Sequence, residues 1–331
     1  MPILKSDFNP SLPFRNGHFS TVYRPLFMKE TCNYTRKRIT TWDDDFIDLD
    51  FSKANSNTLA ILIHGLEGSS ESKYMISTSN ELNTKRIDTV SVNLRGCSGE
   101  DNLLLGTYHS GKTEDVEFIV NHILETYNYE NIIIIGFSLG GNLTLKYMGE
   151  FSEILSPKIK GAIAISVPID IESSEREMDK LKNKLYIEGF LKTIRLKILE
   201  KSFKFPEFQI DKDKLFKAKK FKHLEHLYTV PVFGFESPED YWQKASSKPY
   251  LSKIKLPTLL INAEDDSFLG KECFPHEEAI DSDTFFLEVT KFGGHVGFLS
   301  TFKQEESRWL EKRICRFIDE NIQIKIEQTI S

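Results

Sequence analysis

The chain has 331 residues, and 40% of them are apolar, which is enough for the core of one large domain with an insertion. Its formal net charge of −6 at pH 7 argues against a nucleic acid as partner. No apolar stretch approaches the ~20 residues that a membrane-spanning helix needs, and residues 1–17 lack the apolar segment of a secretion signal.

Apolar runs predict strands that alternate with helices through the first half of the chain. The pattern over residues 35–51 predicts an antiparallel hairpin at a sheet edge. The elements predicted next, in chain order, are a strand at 59–63, a helix within 74–85, a strand at 89–94, a helix within 113–127 and strands at 131–135 and 162–166. Apolar strands between helices are typical of an α/β fold with a mostly parallel sheet, whose ligand site lies at the carboxyl ends of the strands.

The sequence Gly-Phe-Ser-Leu-Gly at 136–140 is the most specific local motif. It follows the predicted strand 131–135 directly and precedes a segment with helical spacing. A serine between two glycines at a strand-to-helix turn is typical of a nucleophile elbow, in which the turn lifts the hydroxyl clear of the sheet. Ser138 is therefore the predicted nucleophile.

The alternation of strands and helices stops between residues 170 and 252. This stretch is rich in Lys and Phe, and helices are predicted within 178–184, 187–201, 212–228 and 238–245. We predict a helical cap at 170–252, inserted into a core formed by 1–169 and 253–331, which excludes water and shapes an acyl pocket. A further hypothesis is that the cap touches a membrane surface through lysines beside its apolar faces, namely Lys192, Lys197, Lys201 and Lys204.

A serine nucleophile needs a histidine to take its proton and a carboxylate to orient that histidine. The predicted strand 257–261 runs into a turn that carries Asp265 and Asp266, and the predicted strand 284–289 is followed by Gly-Gly-His295. The order Ser138, then Asp265 or Asp266, then His295 is the order of α/β-hydrolases. A helix within 305–321 is predicted to close the fold.

The remaining part of such a site is an oxyanion hole. The backbone N–H of Leu139, which follows the nucleophile, is predicted to supply one donor. The other is expected from the loop His-Gly-Leu-Glu-Gly at 64–68, where Leu66 is the candidate. His64 is interpreted as structural, holding this loop by a hydrogen bond.

Taken together, these motifs resemble the YheT-type carboxylesterase branch of the α/β-hydrolase superfamily. The resemblance spans nearly the whole chain, and it is carried by R-N-G-H-F-S-T at 15–21, H-G-L-E-G at 64–68, N-L-R-G-C at 93–97 and G-F-S-L-G at 136–140. In this family the catalytic Asp commonly precedes Pro-Phe, which implies Asp266, although Ser267 replaces the proline here.

The resemblance implies a serine esterase that cleaves short- or medium-chain acyl esters or monoacylglycerol-like lipids, with no metal and no organic cofactor. Two alternatives stay open: acyl transfer or thioester hydrolysis on the same residues, and a non-catalytic ligand-binding protein. The widely spaced Cys32, Cys97, Cys273 and Cys315 predict reduced thiols in a cytoplasmic protein. The acidic run at 43–45 is interpreted as a solvated turn.

Overall fold

The apolar runs form one mixed sheet in the computed structural model, which describes residues 2–324. Among these residues the sheet has nine strands: β1 Ile3–Leu4, β2 Thr35–Thr40, β3 Phe46–Ser52, β4 Thr58–Ile63, β5 Asp88–Asn93, β6 Asn131–Phe137, β7 Ile159–Ile165, β8 Thr258–Ala263 and β9 Phe285–Thr290. Their spatial order is β1-β9-β8-β7-β6-β4-β5-β3-β2. All neighbours are parallel except β3, which is antiparallel to both β2 and β5. The predicted mostly parallel sheet with an edge hairpin is confirmed.

Side-chain alternation along the central strands divides the core into two layers. Ile132 and Ile134 of β6 face one layer, whereas Ile133 and Ile135 face the other, because successive residues of a strand point to opposite faces. Every residue of β6 is buried. Helices therefore cover both faces of the sheet, as the continuous apolar strands predict.

The helices fall into two groups. Those of the sheet layers are α1 Gly17–Phe27, α2 Lys73–Thr84, α3 Thr113–Thr126, α4 Leu139–Glu150, then after β8 α11 His276–Ile280 and α12 Trp309–Asn321. Those between β7 and β8 are α5 Ile171–Met178, α6 Lys184–Lys204, α7 Lys212–Lys217, α8 Phe221–Leu224, α9 Val230–Phe233 and α10 Pro238–Ala245. The second group has an apolar cluster of its own, which includes Leu191, Ile198, Leu215 and Leu224.

Two predicted helices between β7 and β8 are wrong. The segment 212–228 is not one helix, because Ala218 and Lys220 are extended and interrupt it between α7 and α8, and a π-helical turn follows at Glu225–Thr229. The segment 178–184 is not one helix either: α5 ends at Met178, Lys180 is extended, and a 3-10 turn at Leu181–Asn183 leads into α6.

The N-terminal helix α1 was not predicted, although the motif at 15–21 covers its first turns. Asn16 caps it by accepting a hydrogen bond from the Phe19 N–H. Inside the fold, the Arg24 guanidinium donates to a Glu311 oxygen of α12 at 2.7 Å and to the Gly297 carbonyl at 3.0 Å. Through Arg24, α1 therefore supports the loop that follows β9.

The interpretation of residues 43–45 as a solvated turn is wrong for Asp45, which is buried. Its carboxylate accepts hydrogen bonds from Arg95 at 3.1 Å and from Asn102 at 2.7 Å. Arg95 also pairs with Asp43 and Asp115. The acidic turn therefore binds the arginine of the N-L-R-G-C motif, because a buried carboxylate needs such partners.

Three of the lysines considered for membrane contact bind protein groups. Lys201 is buried, and its ammonium donates to the Leu104 carbonyl at 2.6 Å. Lys197 pairs with Glu67 at 2.9 Å and Lys204 with Asp101 at 2.6 Å. Over residues 2–324, none of the helices combines the length and apolar character that spanning a membrane requires.

Candidate active site

Ser138 stands at the turn between β6 and α4, in a backbone conformation that few side chains adopt. Its φ is 54° and its ψ is −120°. The flanking glycines are required by close packing: a Cβ on Gly136 would lie 2.2 Å from the Gly140 carbonyl oxygen, and one on Gly140 would lie 2.3 Å from that of Ile63. The turn therefore combines positive φ with a helix pressed against the sheet, which is the geometry of a nucleophile elbow.

His295 lies on the loop after β9 and contacts both predicted partners. Its Nε2 is 2.9 Å from Ser138 Oγ, and its Nδ1 is 2.8 Å from an Asp266 carboxylate oxygen. Because the carboxylate only accepts hydrogen bonds, Nδ1 carries the proton of neutral His295 and Nε2 is free to accept from the serine hydroxyl. The backbone N–H of His295 donates to Thr21 Oγ1 of α1 at 2.8 Å, which fixes the loop.

The two adjacent aspartates differ in their partners. Asp266 is buried, and its second oxygen accepts from the Phe268 N–H at 2.9 Å. Asp265 accepts from the Gly294 N–H at 2.8 Å and does not bind the His295 ring. Burial, together with the charge of Asp266, raises the pKa of Asp265 to about 6. Of the two sequence candidates, the structure brings Asp266 to His295.

The loop at 64–68 lies against the serine. A Cβ on Gly65 would be 2.9 Å from the Ser138 Cβ. Among residues 2–324, the backbone N–H groups of Leu66 and Leu139 have no hydrogen-bond acceptor, whereas the neighbouring Glu67 N–H donates to the Tyr108 hydroxyl at 2.8 Å. Both predicted oxyanion donors are therefore unpaired next to Ser138.

His64 holds this loop in place, as expected. Its Nε2 accepts from the Leu94 N–H at 3.1 Å, and its Nδ1 donates to the Gly65 carbonyl at 2.7 Å. Complete burial lowers the pKa of His64 to about 4, so the ring is neutral. A neutral ring can donate at one nitrogen and accept at the other, as these two contacts require.

A cavity of about 660 Å³ opens beside Ser138 and His295. Most of its wall is apolar. The helices between β7 and β8 supply part of this wall, with Phe190, Ile194 and Ile198 of α6 among the lining residues. Such a cavity is of the size that encloses a small organic ligand.

Several lining or supporting residues were not foreseen from the sequence. Thr21, which fixes the His295 loop, lies within the motif at 15–21, so that motif was the available signal. Phe268 packs on His295 with ring centroids 4.4 Å apart, next to the Asp266 turn. Glu175 and Glu225 also line the cavity, and no motif marks them.

The described part of the chain holds no group of three or more His, Cys, Asp or Glu side chains placed to bind a metal ion. The four cysteines are free, and Cys97, Cys273 and Cys315 are buried. Burial raises the pKa of the Cys97 thiol to about 12, which disfavours the reactive thiolate.

Comparisons with known proteins show what the chain as a whole is similar to. The family model described as the alpha/beta hydrolase fold matches residues 60–279. The chain is 28% identical to YheT of Escherichia coli strain K12, over 97% of this chain and 95% of that protein. It is also 28% identical to "Phospholipase ABHD3" of Homo sapiens, over 96% and 80% of the two chains, and to "Monoacylglycerol lipase" of Saccharomyces cerevisiae, over 86% and 63%.

Among solved structures, the Pyrococcus furiosus esterase Pf2001 is similar in fold, with a TM-score of 0.58 and 18% identity over 88% of this chain and 94% of that one. The match of the family model covers about two thirds of the chain, and the similarity to YheT extends over almost all of it. The chain belongs to the α/β-hydrolase family, and it is similar to YheT over nearly its whole length.

Proposed function

We propose that this protein is a carboxylic ester hydrolase that works through an acyl-enzyme, with Ser138 as nucleophile, His295 as general base and acid, and Asp266 as the orienting carboxylate. The observation that carries the proposal is the continuous chain of contacts from Asp266 through His295 to Ser138 Oγ, at 2.8 and 2.9 Å. Nucleophile and base are within hydrogen-bond reach, and the base is oriented by a third group.

In the first half of the reaction, Ser138 Oγ attacks the ester carbonyl carbon while its proton passes to His295 Nε2. The backbone N–H groups of Leu139 and Leu66 stabilise the negative oxygen of the tetrahedral intermediate. The bond to the alcohol oxygen then breaks, and His295 Nε2 gives its proton to the leaving alcohol. The acyl group stays on Ser138 Oγ.

The second half repeats these steps with water. His295 takes a proton from a water molecule, whose oxygen attacks the acyl carbon, and then returns that proton to Ser138 as the acid leaves. Asp266 remains ionised throughout, holding Nδ1–H and stabilising the imidazolium that forms in both halves.

The substrates proposed are short- or medium-chain acyl esters or monoacylglycerol-like lipids. A mostly apolar cavity of about 660 Å³ beside Ser138 supports this size class. The similarity to two lipid hydrolases by name, a phospholipase and a monoacylglycerol lipase, supports lipid-like esters.

The helical segment 170–252 is proposed as a cap on a core formed by 1–169 and 253–331, of which Met1 and 325–331 lie outside the described residues. Its helices supply much of the cavity wall, and its cluster around Leu191 and Ile198 packs partly against Leu66 of the site loop. A cap in this position excludes water from the acyl-enzyme and limits the size of the acyl group.

The test is labelling with a fluorophosphonate, together with hydrolysis of p-nitrophenyl esters of graded chain length. Wild type should label and turn over these esters, and Ser138→Ala should do neither. Ser252→Ala, which changes an exposed serine, is the matched control and should behave as wild type. A folded wild type that neither reacts with the fluorophosphonate nor hydrolyses any of the esters would contradict the proposal. A wild type that is labelled but transfers the acyl group to added alcohol in place of water would favour an acyltransferase.

A further inference from the structure

Two of the glutamates on the wall of the cavity that also contains Ser138 come from the segment between β7 and β8. Glu175 belongs to α5, which directly follows β7, and Glu225 begins the π-helical turn after α8. Glu175 is only 7% exposed. A buried glutamate is expected to have a hydrogen-bond partner, because burying a carboxyl group without a partner costs free energy.

The side-chain carboxyl group of Glu175 has no hydrogen-bond or ion-pair partner among residues 2–324, although the backbone carbonyl accepts from the Asp179 N–H. Another glutamate on the same wall, Glu67, accepts from the Tyr108 hydroxyl at 2.8 Å and pairs with Lys197 at 2.9 Å. Glu225 accepts from the Trp242 indole N–H at 2.8 Å through one oxygen only. No contact within the described residues therefore accounts for the Glu175 carboxyl group. It lines a cavity that is large enough for a ligand.

The protonation of the pair fits a neutral polar ligand. Burial raises the pKa of Glu175 well above its ordinary range and that of Glu225 to about 8, and the charge of Glu225 adds to the shift of Glu175. Both shifts favour the protonated, neutral form of the two carboxyl groups. A protonated carboxyl group offers one O–H donor and a carbonyl acceptor, which is what an alcohol hydroxyl needs.

We infer that Glu175 and Glu225 form a polar subsite that binds a free hydroxyl group of the ester substrate. This deepens the proposed function and rests on it: the preferred substrates would be esters that carry a hydroxyl group at a distance from the scissile bond. The hydroxyl could belong to the alcohol part, as in a glyceryl ester, or to the acyl chain, as in a hydroxyacyl ester. An ammonium group is the competing ligand, but it would have to ionise carboxyl groups that the surrounding wall keeps neutral.

The experiment compares kcat/KM for matched pairs of esters. One pair is a glyceryl monoester and the same ester with both hydroxyls methylated, and the other is an ω-hydroxyacyl ethyl ester and its ω-methoxy counterpart. Wild type should prefer the hydroxyl form of one pair by at least about tenfold, since a site built to bind a hydroxyl discriminates against the analogue that lacks it. The pair that shows the preference identifies the part of the substrate that the subsite binds.

Variants of Glu175 give the second readout. Glu175→Leu should abolish the preference, whereas Glu175→Gln should keep most of it, because an amide also donates and accepts. Glu172→Leu, which removes an exposed glutamate from the same helix, is the matched control and should keep the full preference. Glu175→Leu should also melt no lower than wild type, because the carboxyl has no partner to lose.

Several outcomes would overturn the inference. One is the absence of a hydroxyl preference in wild type, and another is a hydroxyl preference that survives Glu175→Leu. A third is a preference for ammonium-bearing esters that Glu175→Gln abolishes, which would indicate a cation site. The fluorophosphonate assay separates this failure from that of the proposed function. A wild type that labels at Ser138 and cleaves both members of each pair equally refutes the subsite alone, whereas one that does not label refutes both.

Discussion

Asp265 and Asp266 are adjacent in the chain, but their carboxyl groups bind different parts of the loop after β9. Asp266 accepts a hydrogen bond from the His295 ring at 2.8 Å. Asp265 accepts one at 2.8 Å from the backbone N–H of Gly294, which precedes His295 in the chain. One carboxylate thus faces the imidazole and the other the main chain. Both contacts act on the position of a single histidine.

The first prediction separates these two contacts by the same substitution at each position. Asp266→Asn should lower kcat by about 10³- to 10⁴-fold, because an amide in place of the carboxylate favours the wrong histidine tautomer and cannot stabilise the imidazolium. Asp265→Asn should cost less than about tenfold, because an asparagine oxygen can still accept from the Gly294 N–H. Steady-state hydrolysis of a p-nitrophenyl ester measures both.

Each of these variants serves as the other's control, since they differ by one position and carry the same change. Melting temperatures would show that both are folded. A large loss in Asp265→Asn with near-normal activity in Asp266→Asn would reverse the proposed assignment.

The sheet and the elbow were predictable because they depend on periodic patterns. β6 and Ser138 follow from an apolar run ending in G-x-S-x-G, and parallel strands bring their carboxyl ends to one edge of the sheet. The choice of Asp266 over Asp265 depends on the conformation of one turn, in which the adjacent carboxylates point to different atoms. Periodicity carries no information about such a turn, so only the resemblance to the family, whose catalytic Asp commonly precedes Pro-Phe, indicated Asp266. The strand bounds differ from the prediction by up to about three residues, as is usual for element ends.

The predictions from sequence fail where tertiary contacts, and not local sequence, determine the structure. The breaks at Ala218 and Lys220 lie in a segment without Gly or Pro, so no local signal marks them. Glu175 lies in the mixed sequence Ile-Glu-Ser-Ser-Glu-Arg at 171–176, in which nothing distinguishes the glutamate that lines the cavity from the exposed Glu172. Such positions are fixed by the packing of α5 against α10, not by the periodicity of the sequence.

The second prediction concerns the ion pair between α6 and the loop that carries Leu66. Lys197 binds Glu67 at 2.9 Å, and Glu67 is also held by Tyr108. Lys197→Met should lower the free energy of unfolding by about 1–3 kcal/mol, because it leaves a mostly buried carboxylate with one partner fewer. It should also lower kcat by about tenfold if the Leu66 N–H is displaced from the oxyanion site.

The control for this variant is Lys192→Met, which makes the same change at an exposed position of the same helix. Denaturant unfolding and ester hydrolysis would be measured on both. Equal stabilities and rates in the two variants would mean that the Lys197 contact does not fix the loop.

The third prediction tests whether the cavity limits the size of the substrate. Ile194 of α6 lines the cavity, so Ile194→Trp should fill part of it and shift the chain-length optimum of ester hydrolysis to shorter acyl groups. Hydrolysis of the shortest esters should be affected least, because they need the least room. The measurement is kcat/KM across a series of p-nitrophenyl esters.

Leu196→Trp is the matched control, since Leu196 is on the same helix and is 48% exposed. Its chain-length profile should equal that of wild type. An unchanged profile in Ile194→Trp would show that the acyl group does not occupy this part of the cavity.

The last prediction is a pH dependence of stability that arises from His64. Its pKa is lowered to about 4 in the folded protein, whereas an unfolded histidine has a pKa of about 6.5. Between these values the unfolded chain binds a proton that the folded chain does not, so stability falls as the pH drops from about 6.5 to about 4. The contribution of this residue is about 3 kcal/mol over that range.

Urea unfolding at pH 7 and pH 4 would measure this effect in wild type, His64→Gln and His276→Gln. His64→Gln should be less stable than wild type at pH 7, because the ring's two hydrogen bonds are lost or weakened, but it should lose about 3 kcal/mol less on acidification. His276 is exposed, so His276→Gln should follow wild type. Equal losses of unfolding free energy in all three proteins would mean that the folded protein tolerates a charged His64. That result would contradict the role of His64 as the acceptor for the Leu94 N–H.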